Sequence, residues 1–241
     1  MNYSFDKLIS YCESKNIEVT EEKLQQLAVF YEMLVEKNKV MNLTGITEWD
    51  DVVLRHFIDS LAIAEIENLN DFDGRVLDLG TGAGFPGIPL KIMFPNISIV
   101  LFDSLNKRIK FLQEVIDELD LKGIDAVHGR AEEFGRNPSY RETFDLVVSR
   151  AVANISTLSE YCLPFVKVYG KFISYKTDTI EEEIASSGKA ISILGGQISK
   201  VEHYTLFDSD MNRSLLEIKK VKTTGKKFPR KAGLPSKEPL T

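Results

Sequence analysis

The sequence predicts an α/β protein: an open sheet with an antiparallel hairpin at its end, preceded by a helical extension. Three observations predict it. Apolar runs of strand length alternate with stretches of helical periodicity from residue 75 to residue 194. A glycine cluster stands between the first strand and the first of those helices. After residue 194 the alternation stops, and two strand-like runs are joined by a short polar turn.

Residues 1–69 read as helical. Thr20 is placed to cap a helix whose first turn carries Glu21 and Glu22, where negative charge meets the positive end of the helix dipole. Leu24, Leu27, Tyr31, Leu34 and Val35 follow at helical spacing, with Glu22, Lys23, Glu32 and Glu36 on the charged face. The stretch 38–45 breaks this pattern and is expected to be a loop. Thr47 and Asp50 resemble a capping box opening a helix through Trp49, Val53, Phe57 and Leu61. On that helix His56 and Asp59 share a face, and they either hold the helix against the main domain or contact a substrate.

The polar stretch 68–74 marks a boundary, giving a helical extension (1–69), a main domain (70–224) and a basic tail (225–241). Strands are expected at 75–79, 97–102, 124–127, 144–148 and 171–175. Helices are expected at 88–93, stopped by Pro95, at 106–121, ended by Gly123, and at 155–166 and 181–194. The runs 197–206 and 213–221 form the hairpin, which puts one antiparallel strand into an otherwise parallel sheet.

The chemistry is expected where strand meets glycine loop, in Arg75-Val76-Leu77-Asp78-Leu79-Gly80-Thr81-Gly82-Ala83-Gly84-Phe85-Pro86-Gly87. Glycine there allows a positive φ and leaves room for a ligand that a Cβ would block, and Pro86 suits the first turn of a helix. The dinucleotide spacing G-x-G-x-x-G fails from Gly80, because Phe85 takes the third glycine's place. From Gly82 the spacing fits but starts too late after the strand. A nucleoside ligand without a pyrophosphate is therefore favoured over a nicotinamide dinucleotide, the alternative being a purely structural turn. Asp103 ends the second strand 23 residues after Gly80, where a ribose diol finds its acceptor; capping the next helix is its other reading. The strand tips, with Gly80, Gly82, Asp103, Ala131, Glu132, Ser149 and Arg150, converge on one crevice beyond the carboxyl ends of the sheet.

The chain's 241 residues suffice for one large domain with an added piece, and 43% hydrophobic and 27% charged residues are ordinary for a globular protein. No apolar run approaches the roughly 20 residues of a membrane span, and the first residues lack a signal pattern, so a cytoplasmic protein is expected. Cys12 and Cys162 lie far apart with no metal-ligand spacing; reduced thiols and no metal are expected. The net charge of −6 is unevenly spread, with residues 219–241 at +7 and the rest at −13. That basic strip is either a footprint for phosphates or a solvated terminus.

The chain resembles the bacterial ribosomal RNA small-subunit methyltransferase G family, also called glucose-inhibited division protein B. The resemblance rests on Asn42-Leu43-Thr44, His56-Phe57-Ile58-Asp59-Ser60-Leu61, the glycine loop through Gly87, and Asp103-Ser104-Leu105-Asn106-Lys107-Arg108. It continues through Arg130-Ala131-Glu132, Ser149-Arg150-Ala151 and Phe228-Pro229-Arg230-Lys231-Ala232-Gly233-Leu234-Pro235. It implies a class I S-adenosylmethionine-dependent methyltransferase fold: a Rossmann-like mixed sheet with a terminal hairpin and a helical N-terminal extension.

It further implies S-adenosylmethionine as cofactor and N7 of a guanine in 16S ribosomal RNA, near the decoding site, as target. Naked RNA or the small ribosomal subunit would be the partner of a monomer with no membrane contact. Gly80, Gly82 and Phe85 would line the cofactor, Asp103 would hold the ribose, Ala131 and Glu132 would meet the adenine, and Arg150 would sit at the reactive end. Lys226, Lys227, Arg230 and Lys231 would contact RNA, so removing 226–241 is expected to weaken RNA binding and spare cofactor binding. No catalytic acid or base is expected, since N7 loses no proton on methylation. A methyltransferase of another substrate and a non-catalytic assembly factor are the alternatives; Phe85 and the terminal hairpin disfavour a dehydrogenase.

Overall fold

The computed structural model describes residues 3–150, 153–177 and 180–240. Met1, Asn2, Ala151 and Thr241, which enter the readings above, lie outside the described residues. Seven strands form one sheet: β1 (Arg75–Leu79), β2 (Ser98–Asp103), β3 (Ile124–His128), β4 (Phe144–Ser149), β5 (Val166–Thr177), β6 (Gly196–Thr205) and β7 (Asn212–Lys220). Their order is β3-β2-β1-β4-β5-β7-β6. The strands β1 to β5 pair in parallel, and β7 runs antiparallel to both β5 and β6. The hairpin lays β6 at the edge and returns β7 into the gap, so one strand is antiparallel, as the sequence predicts.

Strand alternation divides the core into two layers. Val76, Ile99, Leu101, Val148 and Ile173 face the side covered by the N-terminal helices, α5 (Gly87–Met93) and α6 (Asn106–Glu118). Leu77, Val100, Phe102, Val147 and Phe172 face α8 (Ile155–Cys162) and α9 (Glu181–Ile193). The register places Leu77 beside Val100 and Val147, which makes each row continuous across the sheet. Strand order reverses between β1 and β4, and the crevice opens there.

The extension begins with α1 (Asp6–Ser14) and α2 (Glu21–Met41). Thr20 Oγ1 accepts from the Lys23 amide at 3.3 Å, which is the predicted cap. The helix runs on through residues expected to be loop and ends with Asn42 at φ 49°. Asn38 closes it, its Oδ1 accepting from the amides of Leu43 at 2.6 Å and Thr44 at 2.9 Å. Lys23 leaves the charged face expected for it: it is buried, and Nζ donates to the Glu18 carbonyl at 2.9 Å.

The capping box does not form: Glu48, not Thr47, is the N-cap and no side chain caps the helix, while the Thr47 carbonyl accepts from the Tyr31 hydroxyl at 2.9 Å. The helix itself is broken into α3 (Trp49–Val52), a π-helical stretch (Val53–Ile58), α4 (Asp59–Leu61) and a 3-10 turn (Ala62–Glu65). Such π-helical stretches widen the helix locally and frequently occur at functional sites.

Three boundaries move. The helix α6 stops at Glu118, where Asp120 adopts φ 48°, before Gly123 is reached. The helix α8 stops at Cys162, since Pro164 has no amide to continue the ladder. The strand β5 starts at Val166 but bulges before Lys171, where regular pairing with Leu146 begins. The short helix α7 (Ala131–Phe134) follows β3, and α10 (Leu234–Lys237) lies near the C-terminus.

The C-terminal segment is packed onto the domain. Phe228 is buried in the layer of α8 and α9. Arg136 donates to the carbonyls of Lys226, Lys227 and Pro229, and Arg141 to those of Thr224, Gly225 and Phe228. Arg230 grips Glu160 of α8, with Nη2 at 2.7 Å, Nε at 3.0 Å and its amide at 2.7 Å. Glu160 is 0% exposed, so a free carboxylate there would be costly. Arg230→Ala should therefore lower stability by about 3 kcal/mol in urea denaturation. Lys226→Ala at an exposed position should change it by less than about 0.5 kcal/mol, and equal effects would contradict this assignment.

Candidate active site

A cavity of about 690 Å³ lies beyond the carboxyl ends of β1 to β4. The predicted residues Gly80, Gly82, Phe85, Asp103, Ala131, Glu132 and Arg150 all line it. They are joined by Leu43, Thr44 and His56 from the extension, Leu158 and Tyr161 from α8, and Gly233 from the C-terminal segment. Lys226, Lys227, Arg230 and Lys231 are not among the lining residues, and the three lysines are exposed.

The loop after β1 is held by the neighbouring strand, the amides of Gly80 and Thr81 both donating to the Phe102 carbonyl at 2.8 and 3.1 Å. Gly82 has φ 63°, and a Cβ on it would meet only the Gly80 carbonyl at 4.0 Å; the remaining space is open. Gly87 has the opposite reason to be glycine: a Cβ would come within 2.2 Å of Leu101. Its amide donates to Asp78 Oδ2 at 2.8 Å, tying the start of α5 to β1. Burial raises the Asp78 pKa to about 6, opposed in part by the nearby Thr81 hydroxyl and the Gly87 amide. Neither Asp78 Oδ1 nor Thr81 Oγ1 completes a hydrogen bond, although both are buried.

Asp103 is buried at the tip of β2. Its Oδ2 accepts from the Gly82 amide at 3.0 Å and from Arg108 at 3.2 Å, and its Oδ1 accepts from the Leu105 amide at 2.8 Å. The N-cap of α6 is Leu105, so Asp103 links the glycine loop to the helix start without being the cap. A carboxylate has about four acceptor positions, which leaves it capacity for one more donor. Glu132 Oε1 accepts from the Gly233 amide at 2.8 Å, bringing the C-terminal segment to the cavity rim.

At the other end of the cavity Arg150 joins β4 to the π-helical stretch. Its Nη1 donates to Asp59 Oδ2 at 2.7 Å and to the Arg55 carbonyl at 3.2 Å, and its Nη2 donates to His56 Nδ1 at 3.3 Å. Its guanidinium lies 5.2 Å from the centre of the Phe85 ring, on which the His56 ring stacks at 4.3 Å. Asp59 also meets Arg213 Nε at 3.3 Å and so sits between two arginines. His56 and Asp59 thus meet through Arg150 and hold the extension to the main domain. Burial first, then the Arg150 charge, drive the His56 pKa down to about 3. Nδ1 must accept from Arg150, which leaves Nε2–H to donate to Thr44 Oγ1 at 2.9 Å.

The sequence model of the family described as "GidB: rRNA small subunit methyltransferase G" matches residues 23–232. The chain belongs to the rRNA small subunit methyltransferase G family. It is 48% identical over 229 residues to the family member of Alkaliphilus metalliredigens, covering 95% of each chain. With that of Lachnoclostridium phytofermentans it shares 49% over 227 residues, covering 94% of this chain and 93% of the relative. Membership makes it an enzyme, a methyltransferase.

Solved structures agree on the fold of this methyltransferase G family member. The TYW2 protein of M. jannaschii, in complex with AdoMet, gives a TM-score of 0.52 at 16% identity, covering 68% of this chain and 75% of that one. Fibrillarin of Aeropyrum pernix, with natively bound S-adenosyl-L-methionine, gives 0.52 at 17%, covering 66% and 72%. Among the described residues, no group of three or more His, Cys, Asp or Glu could hold a metal ion, and no helix is long and apolar enough to cross a membrane.

Sequence reasoning did not place Thr44, Tyr161 or Gly233 at the cavity. Gly233 left one signal, a glycine after a basic run, and it adopts φ 78° just before α10. The low His56 pKa makes a prediction. The unfolded imidazole takes up a proton near pH 6.5 and the folded one resists until about 3, so stability present above pH 6.5 is lost as the pH falls. His56→Gln should flatten that loss by about 1.4 kcal/mol per pH unit in urea titrations between pH 6 and 5. An unchanged slope would mean that His56 is charged in the fold.

Proposed function

We propose that this enzyme transfers a methyl group from S-adenosylmethionine to N7 of a guanine in 16S ribosomal RNA, near the decoding site. The observation that carries this is that His56 and Asp59, the two titratable side chains that Arg150 binds among the described residues, are both fully engaged. Both His56 nitrogens are engaged and its pKa lies near 3, while Asp59 is spent on two arginines. Such an end suits a nucleophile that loses no proton, and guanine N7 is one.

The other end suits the cofactor. Asp103 offers a carboxylate with one unused acceptor position, enough for one hydroxyl of a ribose. The open space at Gly82 suits close approach of a polar ligand to the loop. When bound, S-adenosylmethionine supplies an electrophilic methyl group. Gly80, Gly82 and Phe85 would border it, Asp103 would hold its ribose, and Ala131 and Glu132 would meet its adenine. Arg150 would fix the reactive end, and the chain's contribution to rate would be positioning and exclusion of water.

In A-form RNA N7 faces a groove too deep and narrow for side chains, so the guanine must leave its stack to be read. Lys226, Lys227 and Lys231 would contact phosphates, with Arg230 holding their segment against Glu160. The extension (1–69), catalytic domain (70–224) and basic segment (225–241) would act together in the cytoplasm on the small subunit or its RNA. Because Gly233 reaches Glu132, the basic segment belongs to both binding sites.

The test is to map methylated guanines in 16S RNA from cells lacking the protein. One 7-methylguanine should vanish and return with the wild-type protein; an unchanged map would refute the reading. With purified enzyme, replacing Lys226, Lys227 and Lys231 by Ala should cut the slope of log affinity against log salt by about 0.7 for each phosphate no longer neutralised. Contrary to the expectation from sequence, truncation after residue 225 should weaken RNA and cofactor binding together, because it removes the Gly233 amide from Glu132; cofactor affinity untouched by the truncation would contradict a role for that hydrogen bond at the cofactor site.

A further inference from the structure

The loop after α2 presents Thr44 to the reactive end of the cavity, and its hydrogen bonds determine what it can offer there. Asn38 Oδ1 fixes the loop by taking the Leu43 and Thr44 amides at 2.6 and 2.9 Å. Thr44 Oγ1 then receives two N–H donors, the Ile46 amide at 3.0 Å and the His56 Nε2–H at 2.9 Å. The second donor is fixed by Arg150: a guanidinium has only donors, so His56 Nδ1 must accept and Nε2 must carry the hydrogen.

A hydroxyl oxygen has two lone pairs and one hydrogen. Both lone pairs of Thr44 are used inside the protein, so the group is left as a pure donor at the wall of the cavity. Arg150 cannot supply the same service with the donors it gives to Asp59, Arg55 and His56.

The Hoogsteen edges of the purines differ in this respect. Guanine places the acceptor O6 beside N7, and adenine places the donor N6–H₂ there. A donor-only hydroxyl therefore accepts guanine and rejects adenine. We infer that the Thr44 hydroxyl is the specificity determinant of the methyl transfer, donating to O6 of the target guanine through a donor order set by Arg150 and His56. This rests on the guanine-N7 reading and names the side chain that reads the base. Leu43, held by the same Asn38 oxygen, supplies apolar wall beside it.

The experiment uses small subunits reconstituted with 16S RNA carrying guanine, inosine or 2-aminopurine at the methylated position. Inosine keeps O6 and lacks the 2-amino group; 2-aminopurine keeps N7 and lacks O6. In the wild type, kcat/KM should fall on the order of tenfold or more from guanine to 2-aminopurine. Thr44→Val and Thr44→Ala should both bring that ratio near one and leave the guanine-to-inosine ratio unchanged. Thr44→Ser should retain the wild-type ratio.

Cofactor affinity measured by calorimetry on each variant shows that the site is folded. An unchanged guanine-to-2-aminopurine ratio in the folded Val and Ala variants overturns the inference while methylation at N7 continues. If the wild type places no methyl on N7, the parent reading fails and the inference falls with it.

Discussion

The Arg150 guanidinium is the joint on which one end of the cavity depends. It stands at the tip of β4 and binds Asp59, His56 and the Arg55 carbonyl, all on the irregular helix of the extension. Because arginine only donates, it imposes one tautomer on His56. Burial of the ring, and after it the Arg150 charge, keep the imidazole neutral. One side chain thus docks the extension on the sheet and removes the nearest base from acid–base chemistry. The π-helical geometry from Val53 to Ile58 is what this joint is built on, since Arg55 and His56 both lie within it.

The C-terminal segment plays the matching part at the other end. Arginines from the β3–β4 connection bind its backbone carbonyls, and the buried Glu160 holds Arg230. The Gly233 amide then reaches Glu132 at the cavity rim. Basic residues that read as one strip in the sequence therefore divide by task. Arg230 is bound to Glu160, and Lys226, Lys227 and Lys231 are exposed.

The central architecture was legible because short-range signals set it. The run ending at Leu79, the glycine loop and the acid at Asp103 each follow from the need to bring backbone close to a ligand at a strand tip. The terminal hairpin was legible from loss of the helical period. What escaped depended on long-range partners. Asn38 read as a loop residue because nothing local shows that its side chain will close the helix. Thr47 has the residue type of a cap, but the N-cap falls one residue later, at Glu48, and nothing local in the sequence marks that shift. The anchoring of Arg230 is invisible in the sequence because its partner Glu160 lies seventy residues earlier. Thr44 could be quoted as part of a motif, but its donor role emerges only when Ile46, His56 and Arg150 are seen together.

The central claim is that methyl transfer here proceeds on a base that already holds its lone pair, with no proton removed by the protein. The most direct measurement is the single-turnover rate of methyl transfer from pH 6 to pH 8 at saturating cofactor and RNA. The account predicts a rate that is flat across this range in the wild type. A tenfold rise per pH unit that disappears in His56→Gln would contradict it.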